Sequence, residues 1–212
     1  MEGMNYQAFW KFIKLLHDND LLEHVIVIGS WCEYIYAQGG VLPDYSAMIR
    51  TLDIDFLVKN MRKPSQKVNL STIAQENGYT VDYDVMNETT KIYTPDLMEI
   101  EFLIEQKGSG VDSVIKTNLG VNAQALHHVR MLKQHTITVP LLEMNITVPT
   151  PESYAVHKVV INESRGKKSE KDMNAVQNIL PYLDSEKLDI VIQSLTEKER
   201  AIAEKFFYNK NI

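Results

Sequence analysis

Asp53 and Asp55 stand two apart in Leu52-Asp53-Ile54-Asp55-Phe56, where acids alternate with apolar residues. In an extended strand that spacing puts both carboxylates on one face. Held about 4 Å apart at an effective dielectric near 20, two such charges repel by roughly 4 kcal/mol. A divalent cation reverses that sign, and oxygen donors completed by substrate phosphates are what Mg²⁺ prefers. A third acid is offered by Glu101 in the apolar run Met98-Glu99-Ile100-Glu101-Phe102-Leu103-Ile104, with Glu99 as its rival for the same role. Three acids meet the ligand count of a two-ion centre, in which one ion orients an attacking hydroxyl and the other holds phosphates. The structural alternative is a solvated edge face, with Glu99, Glu101 and Glu105 as its stripe.

A second element of chemistry precedes the first in the chain. Val25-Ile26-Val27-Ile28 ends at Gly29-Ser30, and a helical pattern follows. A strand that turns at Gly-Ser into a helix presents backbone N–H groups and the positive end of the helix dipole to an anion. Gly29 allows close backbone approach and Ser30 adds a hydroxyl donor.

These residues need a framework. Phe9, Phe12, Ile13 and Leu16 recur at helical spacing over 6–16. Strands are predicted over 25–28, 52–58, 79–85, 90–93, 97–104, 136–140 and 145–148, and helices over 31–38 and 68–77. From Thr150 the pattern changes, because Thr150-Pro151-Glu152 is an N-cap, a first-turn proline and a first-turn acid. Helices are expected from there to 161 and over 168–180, 186–195 and 197–208, the last opened by a capping box from Thr196 to Glu199. The expected division is an α/β front over 1–149 and a helical back over 150–212.

Taken together, Val27-Ile28-Gly29-Ser30, Asp53-Ile54-Asp55-Phe56 and Glu101 resemble the pattern of the DNA-polymerase-β-like nucleotidyltransferases. Arg50-Thr51-Leu52-Asp53-Ile54-Asp55-Phe56 is similar to bacterial members related to the AbiEii toxins, as is the series Lys158, Arg165 and Lys171-Asp172. The third acid departs from the more usual aspartate, and the gap from Ser30 to Asp53 is longer than in minimal members. The resemblance implies an α+β fold, a mixed sheet with flanking helices followed by a helical region. It implies transfer of a nucleoside monophosphate from an NTP, ATP among them, to an acceptor hydroxyl, with two Mg²⁺ ions or Mn²⁺ in their place. Asp53 and Asp55 would bind both ions, and Glu101 the catalytic one. Gly29, Ser30, Arg50, Lys158, Arg165 and Lys171 would hold the nucleotide. RNA or tRNA, a protein and an aminoglycoside-like small molecule are the acceptors it allows, with an antitoxin as partner. A non-catalytic nucleotide- or partner-binding module on the same fold is the other implied reading.

The remaining features are weaker. A chain of 212 residues with 44% apolar and 24% charged residues can bury a core, and a net charge of −6 argues against a surface that is wholly a nucleic-acid clamp. The single cysteine, Cys32, and a start with neither a basic nor an apolar leader segment give the expectation of a cytoplasmic protein. No apolar run approaches the roughly 18 residues of a membrane span. Among the basic residues at 165–171, Arg165 and Lys171 are favoured for phosphate, while Lys167 and Lys168 are expected to be solvated. His127-His128 lacks metal-ligand spacing. Trp31, Tyr34 and Ile35 are expected in the core, with Tyr34 or Tyr36 able to stack on a base. Arg50 either pairs with Asp53 or reaches a phosphate.

Overall fold

The computed structural model describes residues 2–47, 51–60, 68–84, 88–108 and 113–208, with side chains from residue 6 onward. Arg50 lies outside the described residues, and so does the role expected of it.

Helix α1 (Glu2–Asp18) presents Phe9, Phe12, Ile13 and Leu16 to the core, and all four are fully buried. The four β-branched residues of β1 (Val25–Ile28) are buried on both faces. At its end Gly29 takes a left-handed turn, φ 71°, into α2 (Trp31–Gln38). Trp31 stacks on Phe9 with ring centroids 4.2 Å apart. Its indole N–H donates to the Asp53 carbonyl at 3.0 Å, which ties α2 to the start of β2 (Asp53–Val58).

The chain continues through α3 (Leu70–Glu76), β3 (Thr80–Tyr83), β4 (Thr90–Tyr93) and β5 (Glu99–Glu105). β1 runs antiparallel to β2, β2 parallel to β5, and β5 antiparallel to β4, which pairs with β3. This is the expected mixed sheet. Strand boundaries moved by one or two residues: the strand expected from 97 begins at Glu99, because Leu97 turns with φ 63° and stands exposed.

Three elements were not foreseen from the sequence. β6 (Val114–Lys116) pairs with β7 (Asn122–Leu126), β7 runs parallel to the second half of β5, and α4 (Arg130–Gln134) follows. Ala123 and Ala125 are fully buried in β7, so the strand exists through pairing and close packing rather than β-propensity. The hairpin β8 (Thr136–Leu141) and β9 (Met144–Pro149) turns at Leu142-Glu143, both with positive φ. That is the sense that matches strand twist.

Thr150 caps α5 (Pro151–Ile161) by accepting from the Ser153 N–H. Nine of the eleven residues of this helix are buried. It packs among α6 (Ser169–Ile179), α7 (Ser185–Gln193) and α8 (Glu197–Phe207), whose Thr196–Glu199 capping box is present. One apolar core includes Phe9 and Phe56 from the front and Ala155, Val159, Val176 and Ile179 from the back. Among the described residues no helix is long and apolar enough to cross a membrane.

Candidate active site

Pairing register, not sequence proximity, builds the acidic site. Asp53 lies opposite Glu99 and Asp55 opposite Glu101 across the parallel β2–β5 pair, while Ile28 lies opposite Asp55 on β1. The intervening Ile54, Phe56, Ile100 and Phe102 are buried on the other face. The alternation expected of 52–58 therefore holds, and it carries over to β5. Gly29 faces this group directly, since a Cβ at position 29 would run into the Asp55 carboxylate. Thr51 braces Asp53 through a hydroxyl 3.4 Å from its carboxylate.

A cavity of about 450 Å³ opens over the acids. Its floor holds Gly29, Asp53, Asp55 and Glu101; its opposite wall, on α5 and the segment before α6, holds Lys158, Arg165 and Lys168. Glu99 is not among the lining residues, which favours Glu101 over its rival. Burial first, then the Glu101 and Asp53 charges, push the Asp55 carboxyl up to about 6, against the opposing pull of Lys168 and Arg165. The Glu101 carboxyl is also raised, by burial first and then by its contact with Glu99, while Lys91 opposes the shift.

The basic wall is organised around Asp172. Lys158, buried on α5, lies 2.5 Å from its Oδ1, and the Arg165 Nε donates to Oδ2 at 2.8 Å. Burial works against the Asp172 anion, but these two cations outweigh it and hold its carboxyl below the usual range. Beside them, burial first and then the charges of Lys158 and Arg165 push the His157 imidazole down to about 3, so it is neutral at physiological pH. Tyr154 lies under the Lys158 ammonium at 4.9 Å and donates its hydroxyl to the buried Glu33 at 2.5 Å, as does Tyr45. Glu33 thus ties the helix after Gly29-Ser30 to the helix that carries Lys158.

The structure brings most, but not all, of the expected residues together. Gly29, Asp53, Asp55, Glu101, Lys158 and Arg165 line one cavity. Ser30 stands at the start of α2, where its hydroxyl does not cap the helix. Lys171 is exposed on α6 and outside the cavity lining, whereas Lys168, expected to be solvated, contributes to the wall. A short 3-10 turn, Gly166–Lys168, precedes α6 and sets which lysine faces inward. Tyr36 is fully buried with its hydroxyl on the Pro149 carbonyl at 2.7 Å, so it cannot stack on a base. Tyr34 accepts from the Trp10 indole at 3.0 Å within an aromatic cluster. Burial raises the Cys32 thiol well above its ordinary range, and the thiol points to the Val27 carbonyl at 3.3 Å; it is an inert core group. His127-His128 follows β7 and is not helical; His128 pairs with Glu199 at 2.7 Å. Sequence reasoning missed Lys91, whose ammonium contacts both Glu99 and Glu101. A lysine in a short strand carries no signal of partners that depend on register.

Among the described residues no three carboxylates, imidazoles or thiols converge as a ready-made ion cage. The donor chemistry nevertheless fits a divalent cation, since Asp55 carries an unfavourable negative charge beside two other carboxylates, and Gly29 leaves room against it. Mg²⁺ in phosphate-binding enzymes draws on one or two carboxylates plus the substrate rather than on an all-protein cage.

A solved structure shares this architecture. The solution structure of the antibiotic-resistance factor ANT(2'')-Ia aligns with a TM-score of 0.53 at 12% identity, covering 90% of each chain, which speaks to the fold alone. An antigenic nucleotidyltransferase-like protein from Paracoccidioides brasiliensis aligns with a TM-score of 0.47 at 12% identity, over 90% of this chain and 87% of the other. Among curated proteins none matches. A family model described as nucleotidyltransferase matches residues 7–197, nearly the whole chain and every residue of the cavity, and the protein belongs to that family.

Proposed function

We propose that this protein transfers a nucleoside monophosphate from an NTP to an acceptor hydroxyl, with release of pyrophosphate and with Mg²⁺ or Mn²⁺ as cofactor. The observation that carries the reading is the pairing of half-buried carboxylates on the sheet with a basic wall across the same cavity. In this account Asp53, Asp55 and Glu101 hold the cation, which would neutralise phosphate charge and favour ionisation of the attacking hydroxyl. The turn at Gly29 and the first N–H groups of α2 receive phosphate oxygens, helped by the Ser30 hydroxyl. Arg165 and Lys168 face the triphosphate from the other wall. Lys158 acts from within its pair with Asp172, as a fixed positive charge and a support for Arg165. Such a site works by positioning and charge neutralisation rather than by covalent catalysis.

The acceptor we favour is RNA. Arg165 and Lys168 line the cavity and Lys167 and Lys171, close to them in the chain, are likewise exposed, which would give an otherwise acidic chain a local phosphate-binding surface. The likeness of 50–56 and of the Lys158, Arg165, Lys171-Asp172 series to AbiEii-related proteins is in keeping with an RNA-directed, toxin-like transferase with an antitoxin partner. The fold shared with ANT(2'')-Ia supports a second reading, a small-molecule acceptor.

The test is incubation with α-³²P-NTP or γ-³²P-NTP, Mg²⁺ and either total RNA, total protein or aminoglycosides. Label from the α position alone, retained on RNA and removed by nuclease, is the expected result. Label on a small molecule would favour the second reading. Nucleotide binding with no transfer to any acceptor would make the protein a binding module.

A further inference from the structure

One register row crosses five strands of the sheet: Ile28 on β1, Asp55 on β2, Glu101 on β5, Lys91 on β4 and Asp82 on β3. Residues opposite one another in a sheet share a face, so Lys91 stands on the acid-bearing face immediately beyond Glu101. Its ammonium lies 3.2 Å from the Glu101 carboxylate and in closer contact with Glu99. The neighbours Thr90 and Ile92 face the core and are buried. On its other side Asp82 offers an exposed carboxylate. The ammonium nevertheless lies against Glu99 and Glu101, the two acids nearer the cavity.

Four carboxylates therefore gather on β2 and β5 in two inequivalent pairs. Glu99 and Glu101 share one lysine. Among the described residues no ion pair joins Asp53 or Asp55 to a lysine or arginine. An ammonium between two carboxylates supplies positive charge where a second divalent ion would otherwise be drawn, and strong hydration of free Mg²⁺ favours the less obstructed pair.

We propose that Lys91 is a tethered counter-cation: it positions Glu101 and restricts the nucleotide-free protein to one divalent ion, held on the Asp53–Asp55 side. This inference rests on the nucleotidyl-transfer reading of the same site. A second divalent ion would be held only together with the triphosphate, whose oxygens would supplement what Glu101, shared with the lysine, can give. Lys91 acts through Glu101 and is a positioning residue.

The experiment is Mn²⁺ titration of the nucleotide-free protein followed by electron paramagnetic resonance, on wild type and on Lys91→Met, Lys91→Gln and Lys91→Arg, each checked for folding by circular dichroism. One bound Mn²⁺ is expected for wild type and Lys91→Arg. Two are expected for Lys91→Met and Lys91→Gln, the second binding at least tenfold more tightly than any second ion on wild type. One ion on all four proteins, or two on wild type, would overturn the role of Lys91. No Mn²⁺ on any of them would overturn the cation reading of Asp53 and Asp55, and this proposal with it.

Discussion

Asp55 and Glu99 lie on the same face of the same sheet, one row apart, yet their carboxyls shift in opposite directions. Burial, Glu101 and Asp53 drive Asp55 up to about 6. Burial also works against the Glu99 anion, but its hydrogen bond with Lys91 outweighs that and holds it below the usual range. One carboxylate has a partner supplied by the fold. The other has been left without one in a cavity whose nearest opposing charges, Lys168 and Arg165, belong to the far wall. The fold completes the charge balance where structure needs it and leaves it incomplete where a ligand would complete it.

The sharpest way to break this contrast is Asp55→Asn. Removing a carboxylate that would hold the cation at the reacting phosphate should lower kcat/KM for nucleotidyl transfer by about 10³-fold or more, measured as α-label incorporation. Disrupting the opposite wall should act first on stability. Asp172→Asn leaves the buried Lys158 without its counter-charge, and breaking a buried pair from one side costs about 3–5 kcal/mol. Urea unfolding should show that loss, and the double variant Lys158→Met with Asp172→Leu should recover most of it.

Gly29→Ala tests the turn between the two regions. It combines a left-handed backbone with a Cβ directed into the Asp55 carboxylate, so a loss of about 1–3 kcal/mol in stability is expected, together with a clear fall in activity. If the stability were unchanged, the close approach of this turn to Asp55 would be wrong.

The pH dependence sharpens the comparison from the other side. Asp55 binds its proton more tightly in the folded protein than its ordinary value near 4 allows. Its protonation therefore supports the fold fully below about pH 4, and that support is lost as pH rises through about 6. A shift of this size corresponds to about 2 kcal/mol after allowance for the partial exposure of the carboxylate. Ligand-free wild type should thus lose stability between pH 4 and 6 relative to Asp55→Asn, and the difference should level off above pH 7. The smallest effect expected is that of Lys168→Ala, about a tenfold rise in the KM for NTP with little change in stability.

Much of this was legible in the sequence because it depends on local patterning. The alternation around Asp53 and Asp55, the buried face of α1, the strand-turn-helix at Gly29-Ser30 and the caps at Thr150 and Thr196 are encoded within a few residues each. What was not legible depends on pairing between distant segments. β7 is a strand because Ala123 and Ala125 fit closely beside β5, and its sequence carries no β-branched residue. Lys91 meets Glu101 because of β4–β5 register. Lys168 rather than Lys171 reaches the cavity because Gly166, with φ 50°, and a 3-10 turn precede α6. The residues were visible as charges; which of them faced which was a property of the fold.

The measurement that bears most directly on the account is thermal unfolding at pH 8, with and without Mg²⁺ and a non-hydrolysable NTP, for wild type and Asp55→Asn. Without ligand the variant should melt higher than wild type, because it no longer buries an uncompensated charge. With ligand, wild type should gain several degrees and the variant little or nothing. Equal gains in both proteins, or a variant that melts lower without ligand, would contradict the claim that Asp55 is held in a site that only a cation and nucleotide complete.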